Sequence, residues 1–117
     1  MPRSAAAYLA DIIEACDAIQ AVLVGVDLPT YFDSRSTRSS VEREFIIIGE
    51  AVAALGRIAP DLFEQISDAR MVVGLRNVLT HDYAAVDDET VFGVTQDDIP
   101  VLRSECVGLF ERVGETD

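Results

Sequence analysis

The chain has no lysine, one histidine, two cysteines and no long apolar run, and each shortage excludes something. Nine arginines face 21 acidic residues, for a net charge of −12. That balance favours solubility and excludes indiscriminate attraction to nucleic acid or to an anionic membrane. Any contact with a polyanion must be local. One histidine and two distant cysteines, Cys16 and Cys106, supply no zinc-ligand cluster. Both cysteines sit among apolar residues at helical spacing, which suits reduced, buried thiols better than a disulfide or a metal pair. No apolar run reaches the roughly 18 residues of a membrane span, and the N-terminus lacks the basic, apolar, small-residue order of a signal peptide. We expect a cytoplasmic protein with no membrane segment, no metal and no cofactor.

What is present is enough apolar material for one core: 117 residues, 50% hydrophobic, read as a single domain over 1–117. Nothing alternates with the period of two expected of strands, whereas several segments repeat at helical spacing. Ser4 is placed to cap a helix running to about residue 24, with Leu9, Ile12, Ile13, Cys16, Ile19, Gln20 and Leu23 on one stripe and Gly25 beyond its end. Residues 29–32 read as a turn of helix whose aromatics, Tyr31 and Phe32, fold back on the core, and residues 34–40 read as polar and turn-like. A second long helix is expected from about residues 37–40 to 55, ended by Gly56, with Val41, Phe45, Ile48 and Val52 on its apolar line. Gly49 inside it costs roughly 1 kcal/mol relative to Ala, which points to a close helix crossing. Glu50 beside it is a carboxylate among apolar residues, either at the edge of the buried face or paired within it, and Arg76 is the partner to test first.

Pro60 starts a short helix to about residue 66, and Ser67 or Asp68 caps the next. After Tyr83, Asp87 is a plausible cap for a last helical region reaching about residue 113, kinked or divided at Pro100. The expected fold is all-α, an up-and-down four-helix bundle with short extra helices.

The distinctive stretch runs from Gly74 to Tyr83 and ends one of these helices. On a wheel turning about 100° per residue, Arg76, Thr80, Asn77 and His81 share a polar flank opposite Val72, Leu75 and Leu79. Asn77 lies one turn before His81, and Tyr83 comes two turns after Arg76 if the helix persists that far. These groups would then border one cleft. Alternatively, His81 only complements a helix C-terminus, and Tyr83 packs its ring at the bundle edge.

The string Arg76-Asn77-Val78-Leu79-Thr80-His81-Asp82-Tyr83 is preceded by Ser40-Val41-Glu42-Arg43 and Ile47-Ile48-Gly49-Glu50-Ala51. It is followed by Asp87 to Phe92 and by Asp98-Ile99-Pro100. Together these blocks resemble the HepT-like toxins of the HEPN superfamily over nearly the whole chain. The resemblance implies an HEPN-like bundle and a homodimeric, metal-independent endoribonuclease, the toxin component of a toxin-antitoxin pair. It further implies that Arg76 and His81 carry cleavage of RNA. A minimal nucleotidyltransferase antitoxin would silence the enzyme by adenylylating Tyr83.

Elementary chemistry fits this. RNA carries its own nucleophile, the 2′-hydroxyl, so cleavage needs a proton acceptor, a proton donor and positive charge for the developing phosphorane. Imidazole can take either proton role, and an arginine fork can hold the phosphate. A two-fold dimer brings a second His81 for the second role. Asn77 is a candidate to orient imidazole or phosphate, or only to pack its helix, and Glu50 is a supporting residue through Arg76. Arg35, Arg38 and Arg43 form the one basic concentration, either an RNA contact or a solvated helix start. The alternative function is a non-catalytic helical module that binds a nucleotide or a nucleotidyltransferase.

Overall fold

A computed structural model describes residues 3–116, with seven α-helices and no strand among them. They are α1 (Ala5–Val22), α2 (Leu28–Asp33), α3 (Arg35–Ile58), α4 (Pro60–Glu64), α5 (Ala69–His81), α6 (Asp88–Asp97) and α7 (Ile99–Thr116), with a short 3-10 turn at Tyr83–Ala85. The expected all-α bundle is what forms. Its spine is the packing of α1 on α3, with α7 on the other side of α1 and α5 on the other side of α3.

The apolar stripes explain that order. Leu9, Ile12, Cys16 and Ile19 are fully buried along α1 and face Val41, Phe45, Ile48, Val52 and Leu55 of α3. Each large aliphatic side chain removed from water in this way contributes about 1.5–3 kcal/mol relative to exposure. Ile99, Leu102, Cys106 and Leu109 continue the core along α7. The chain starts and stops helices where capping groups allow. The Ser4 hydroxyl accepts from the Ala7 amide at 3.1 Å, and Gly25 takes φ +73° just past α1.

Three expectations need correction. Residues 34–40 are not a turn: Ser34 is the N-cap, accepting from the Thr37 amide at 3.3 Å, and α3 begins at Arg35. Gly56 does not end α3, which runs on to Ile58. A Cβ at Gly56 would meet Phe63 Cδ2 at 2.8 Å, so that glycine makes room for an aromatic ring on the returning chain. Of the aromatics in α2, Tyr31 is buried against Phe92, with ring centroids 5.2 Å apart, while Phe32 faces solvent.

At the other caps, Asp68 is the N-cap of α5 but its side chain makes no capping bond. The entry to α5 is tied instead by Ser67, whose amide and hydroxyl donate to Glu105 at 3.1 and 2.6 Å. The last helical region divides at Asp98, leaving Pro100 as the second residue of α7, where its missing N–H is tolerated.

Candidate active site

The site is built where α5 crosses α3. An ideal Cβ at Gly49 would lie 2.2 Å from Arg76 Cβ and 3.0 Å from the Val72 carbonyl oxygen, so only glycine lets the two backbones approach this closely. The crossing fixes Arg76 over α3. There Arg76 Nη2 stands 3.7 Å from Glu50 Oε1, and Nη1 donates to Asn77 Oδ1 at 2.8 Å. Glu50 lies at the edge of the buried face, with its side chain 58% exposed, and Arg76 is its partner as the sequence suggested. Arg76 Nε is buried without a hydrogen-bond partner, and the side chain as a whole is 28% exposed. The guanidinium is therefore positioned from one side and open on the other.

Asn77 turns its amide oxygen to Arg76. His81 is the last residue of α5 and is exposed, five positions after Arg76 and one turn after Asn77. Thr80 Oγ1 donates back to the Arg76 carbonyl at 3.0 Å, so its hydroxyl is turned along the helix.

Tyr83 is elsewhere than the wheel placed it. The helix stops at His81, Asp82 leaves it at φ −146°, and Tyr83 begins the 3-10 turn. The residue is 62% exposed, and its hydroxyl donates to Glu42 Oε1 at 3.2 Å rather than lying beside Arg76. Glu42 and Glu50 are eight residues apart on α3, about 12 Å along the helix axis. Tyr83 and Arg76 thus mark two ends of the site, one acidic and one cationic.

Glu42 is the residue that sequence reasoning missed. It is 7% exposed, its Oε2 is buried without a hydrogen-bond partner, and burial pushes its carboxyl above the usual range. Tyr31 Oη is likewise buried and unpaired. Burial, reinforced by the charge of Glu42, raises the Tyr31 hydroxyl, and the same charge is the main cause of the upward shift of Tyr83. A signal existed: Glu42 falls on the line Glu42, Phe45, Gly49, Val52, at the spacing of a buried stripe.

The basic trio does not act as one surface. Arg38 is turned inward, with Nη1 donating to the Phe32 carbonyl and, at 3.4 Å, to that of Tyr31, and Nε 3.8 Å from Asp88. It ties α2 and α6 to α3. Arg35 and Arg43 are exposed on α3, about 22 and 10 Å along its axis from Glu50. Arg57 is nearer the site. It borders a cleft of about 390 Å³ with Tyr8, Glu50 and Arg76, and also a more apolar groove of about 550 Å³ with Gly56, Phe63, Val73 and Asn77. It makes no ion pair among the described residues.

Among the described residues no group of three or more His, Cys, Asp or Glu is arranged to hold a metal ion. No helix among them is long and apolar enough to cross a membrane. Cys16 and Cys106 are buried and unpaired, and burial pushes both thiols up to about 12.

Comparison with known proteins converges on one family. Residues 12–107 match the family model described as "Ribonuclease HepT-like". A protein of Methanocaldococcus jannaschii named "Putative RNase MJ1380" is 28% identical over 103 residues, covering 88% of this chain and 94% of its own length. "Probable ribonuclease HepT" of Thermococcus cleftensis is 29% identical over 116 residues, covering 97% of this chain and 98% of its own. No solved structure gives a significant match. With a family model spanning most of its length and an Arg-x4-His-x-Tyr motif running from the helix crossing at Arg76 to the turn at Tyr83, this chain belongs to the HepT-like ribonuclease family.

Proposed function

We propose that this chain is the toxin of a toxin-antitoxin pair, a cytoplasmic, metal-independent endoribonuclease that cleaves RNA by attack of its own 2′-hydroxyl. The observation that carries this reading is the placement of Arg76. It is held at the Gly49 crossing by Glu50 and Asn77, with one face open and the exposed His81 five residues on. Arg76 binds the scissile phosphate and neutralises charge that develops on its oxygens. His81 transfers the proton, accepting from the 2′-hydroxyl or donating to the departing 5′-oxygen. One imidazole per chain serves one of these roles, so a homodimer supplies the other from a second His81. Asn77 orients the guanidinium, and Arg57, between the two clefts, takes a neighbouring phosphate.

Tyr83 is the silencing point, adenylylated by a nucleotidyltransferase antitoxin. The modification works by a route that its position dictates. A phosphate added to its hydroxyl lies beside Glu42 and Asp88 and two residues from His81, so it adds negative charge to an acidic rim and places a nucleoside across the approach to the imidazole. RNA is repelled and obstructed together.

Purified His81→Ala and Arg76→Ala test the cleavage site. Each is expected to lose about 10² to 10⁴ in cleavage rate in the presence of EDTA, with unchanged circular dichroism. Wild-type cleavage by either folded variant, or a wild-type activity lost on chelation and restored by Mg²⁺, removes this mechanism. A second reading, a non-catalytic module binding a nucleotide or the transferase itself, draws on the net charge of −12 and on the engagement of Arg76 by Glu50. Such a module would co-purify with its partner yet cleave no RNA in the wild type.

A further inference from the structure

We propose that Glu42 is the general base that accepts the proton of Tyr83 when this hydroxyl takes up a nucleotidyl group. The inference rests on the reading of Tyr83 as the modified residue and adds the chemistry that makes it a nucleophile.

The geometry is direct. Tyr83 Oη already donates to Glu42 Oε1 at 3.2 Å, while the residue is 62% exposed. The proton points into the protein, and the oxygen lone pairs are left on the open side where an incoming phosphorus must approach. Glu42 is held on a buried stripe of α3 and is 7% exposed, so bulk water does not compete for the carboxylate. Its Oε2 makes no hydrogen bond, and no cation lies close enough to form an ion pair with it among the described residues. A carboxylate serving only to hold the chain together would be expected to have partners for both oxygens.

The charges around it agree. Glu42 faces Tyr83 from the 3-10 turn, Tyr31 from α2, Asp88 from α6 and Arg38 from its own helix. Burial and Asp88 raise its carboxyl, the hydrogen bond from Tyr83 and the charge of Arg38 lower it, and the net direction is upward. A raised carboxyl is a better proton acceptor near neutrality. The Tyr83 hydroxyl is itself raised, chiefly by the charge of Glu42, so its anion is scarce at neutral pH. Attack on phosphorus therefore needs the proton to leave as the bond forms.

The step balances. Tyr83 Oη attacks the α-phosphorus of a nucleoside triphosphate delivered with its divalent cation by a transferase. The Oη–Pα bond forms, the bond from Pα to the bridging oxygen breaks, and pyrophosphate leaves with that electron pair. The Oη proton passes to Glu42 Oε1, giving a neutral carboxylic acid in an environment that favours it.

N-Acetylimidazole, which acylates tyrosine hydroxyls, tests the base without any partner, and peptide mapping separates Tyr83 from Tyr8 as an internal reference. In the wild type the ratio of Tyr83 to Tyr8 acetylation is expected to fall as pH drops through the Glu42 titration. In Glu42→Gln, Tyr83 acetylation should slow by about 10² at neutral pH. The sign is decisive, because removing a charge that only raises the hydroxyl would make Tyr83 react faster. A constant wild-type ratio, which needs no variant to fold, or a faster Gln variant, overturns the proposal. The same comparison is then made with ATP, Mg²⁺ and the purified partner nucleotidyltransferase. Labelling of wild type at Tyr83 with a comparable slowing in Glu42→Gln supports the assignment. Equal labelling of both overturns the base alone, and absence of label from wild-type Tyr83 overturns the silencing site with it.

Discussion

Replacing Gly49 with alanine adds one methyl group at the point where α3 and α5 touch. That carbon would lie 2.2 Å from Arg76 Cβ and 3.0 Å from the Val72 carbonyl oxygen. Neither neighbour is the free end of a flexible chain, so relief requires the helices to part by roughly 1.5 Å to restore an ordinary carbon–carbon contact of about 3.5–4.0 Å. Overpacking of this kind costs typically 1–3 kcal/mol, and with a rigid neighbour the upper end applies. Alanine recovers about 1 kcal/mol of helix propensity, leaving a net loss of about 2 kcal/mol. For a domain of this size that corresponds to a fall in Tm of roughly 8 °C. The displacement also moves Arg76, and a misplacement of about 1 Å can cost 10² in rate. Gly74→Ala is the matched control, since a Cβ there meets nothing within 4 Å and the same propensity gain should appear uncancelled. Urea unfolding of both variants, with RNA cleavage in parallel, makes the comparison. If Gly49→Ala proved as stable and as active as Gly74→Ala, the crossing would not be the feature that seats Arg76.

Three further outcomes are expected. Arg57→Ala should leave the fold unchanged and weaken RNA binding, reducing the slope of log affinity against log salt by about 0.7 if Arg57 neutralises one phosphate of a single strand; an unaltered slope would remove it from the RNA path. Cys16 and Cys106, their thiols pushed up to about 12 by burial, should resist iodoacetamide in the folded protein and alkylate only on unfolding, so rapid native labelling would contradict the packing of α1 on α7. The raised carboxyl of Glu42 binds its proton more tightly in the folded chain than in the unfolded one, so its ionisation costs stability at neutral pH and the cost disappears as pH falls through the folded pKa towards the unfolded value. Glu42→Gln should therefore gain stability relative to wild type at pH 7 and lose that advantage near pH 4.5, and a difference independent of pH would show that Glu42 is not buried in its charged form.

Periodicity made the bundle legible because the stripe from Leu9 to Ile19 and the line from Val41 to Val52 each have one helical reading. Gly49 and Glu50 were legible as exceptions: a glycine and a carboxylate in an apolar helix each need a reason, and Arg76 supplies both. Composition misled where local preference and tertiary context diverge. The serines and arginines of residues 34–40 resemble a turn, yet one hydroxyl cap at Ser34 and the inward reach of Arg38 hold them helical. Gly56 resembled a helix end because the ring of Phe63, which needs its space, is seven residues away in sequence. Tyr83 was misplaced because the wheel assumes an intact helix, and the chain leaves it at Asp82. Glu42 escaped notice because its partner is 41 residues distant and contacts it only through that departure.

The way α5 is attached sets how the site can move. Among the main helices it packs chiefly on α3, whereas α1 is gripped between α3 and α7. A segment held along one seam can open as a unit at a lower free energy than one clasped from both sides. Amide protons of α5 are accordingly expected to exchange with solvent sooner than those of α1, together rather than one by one. Arg76, Asn77 and His81 would leave and rejoin the spine as a block, keeping their mutual spacing through each excursion while losing Glu50.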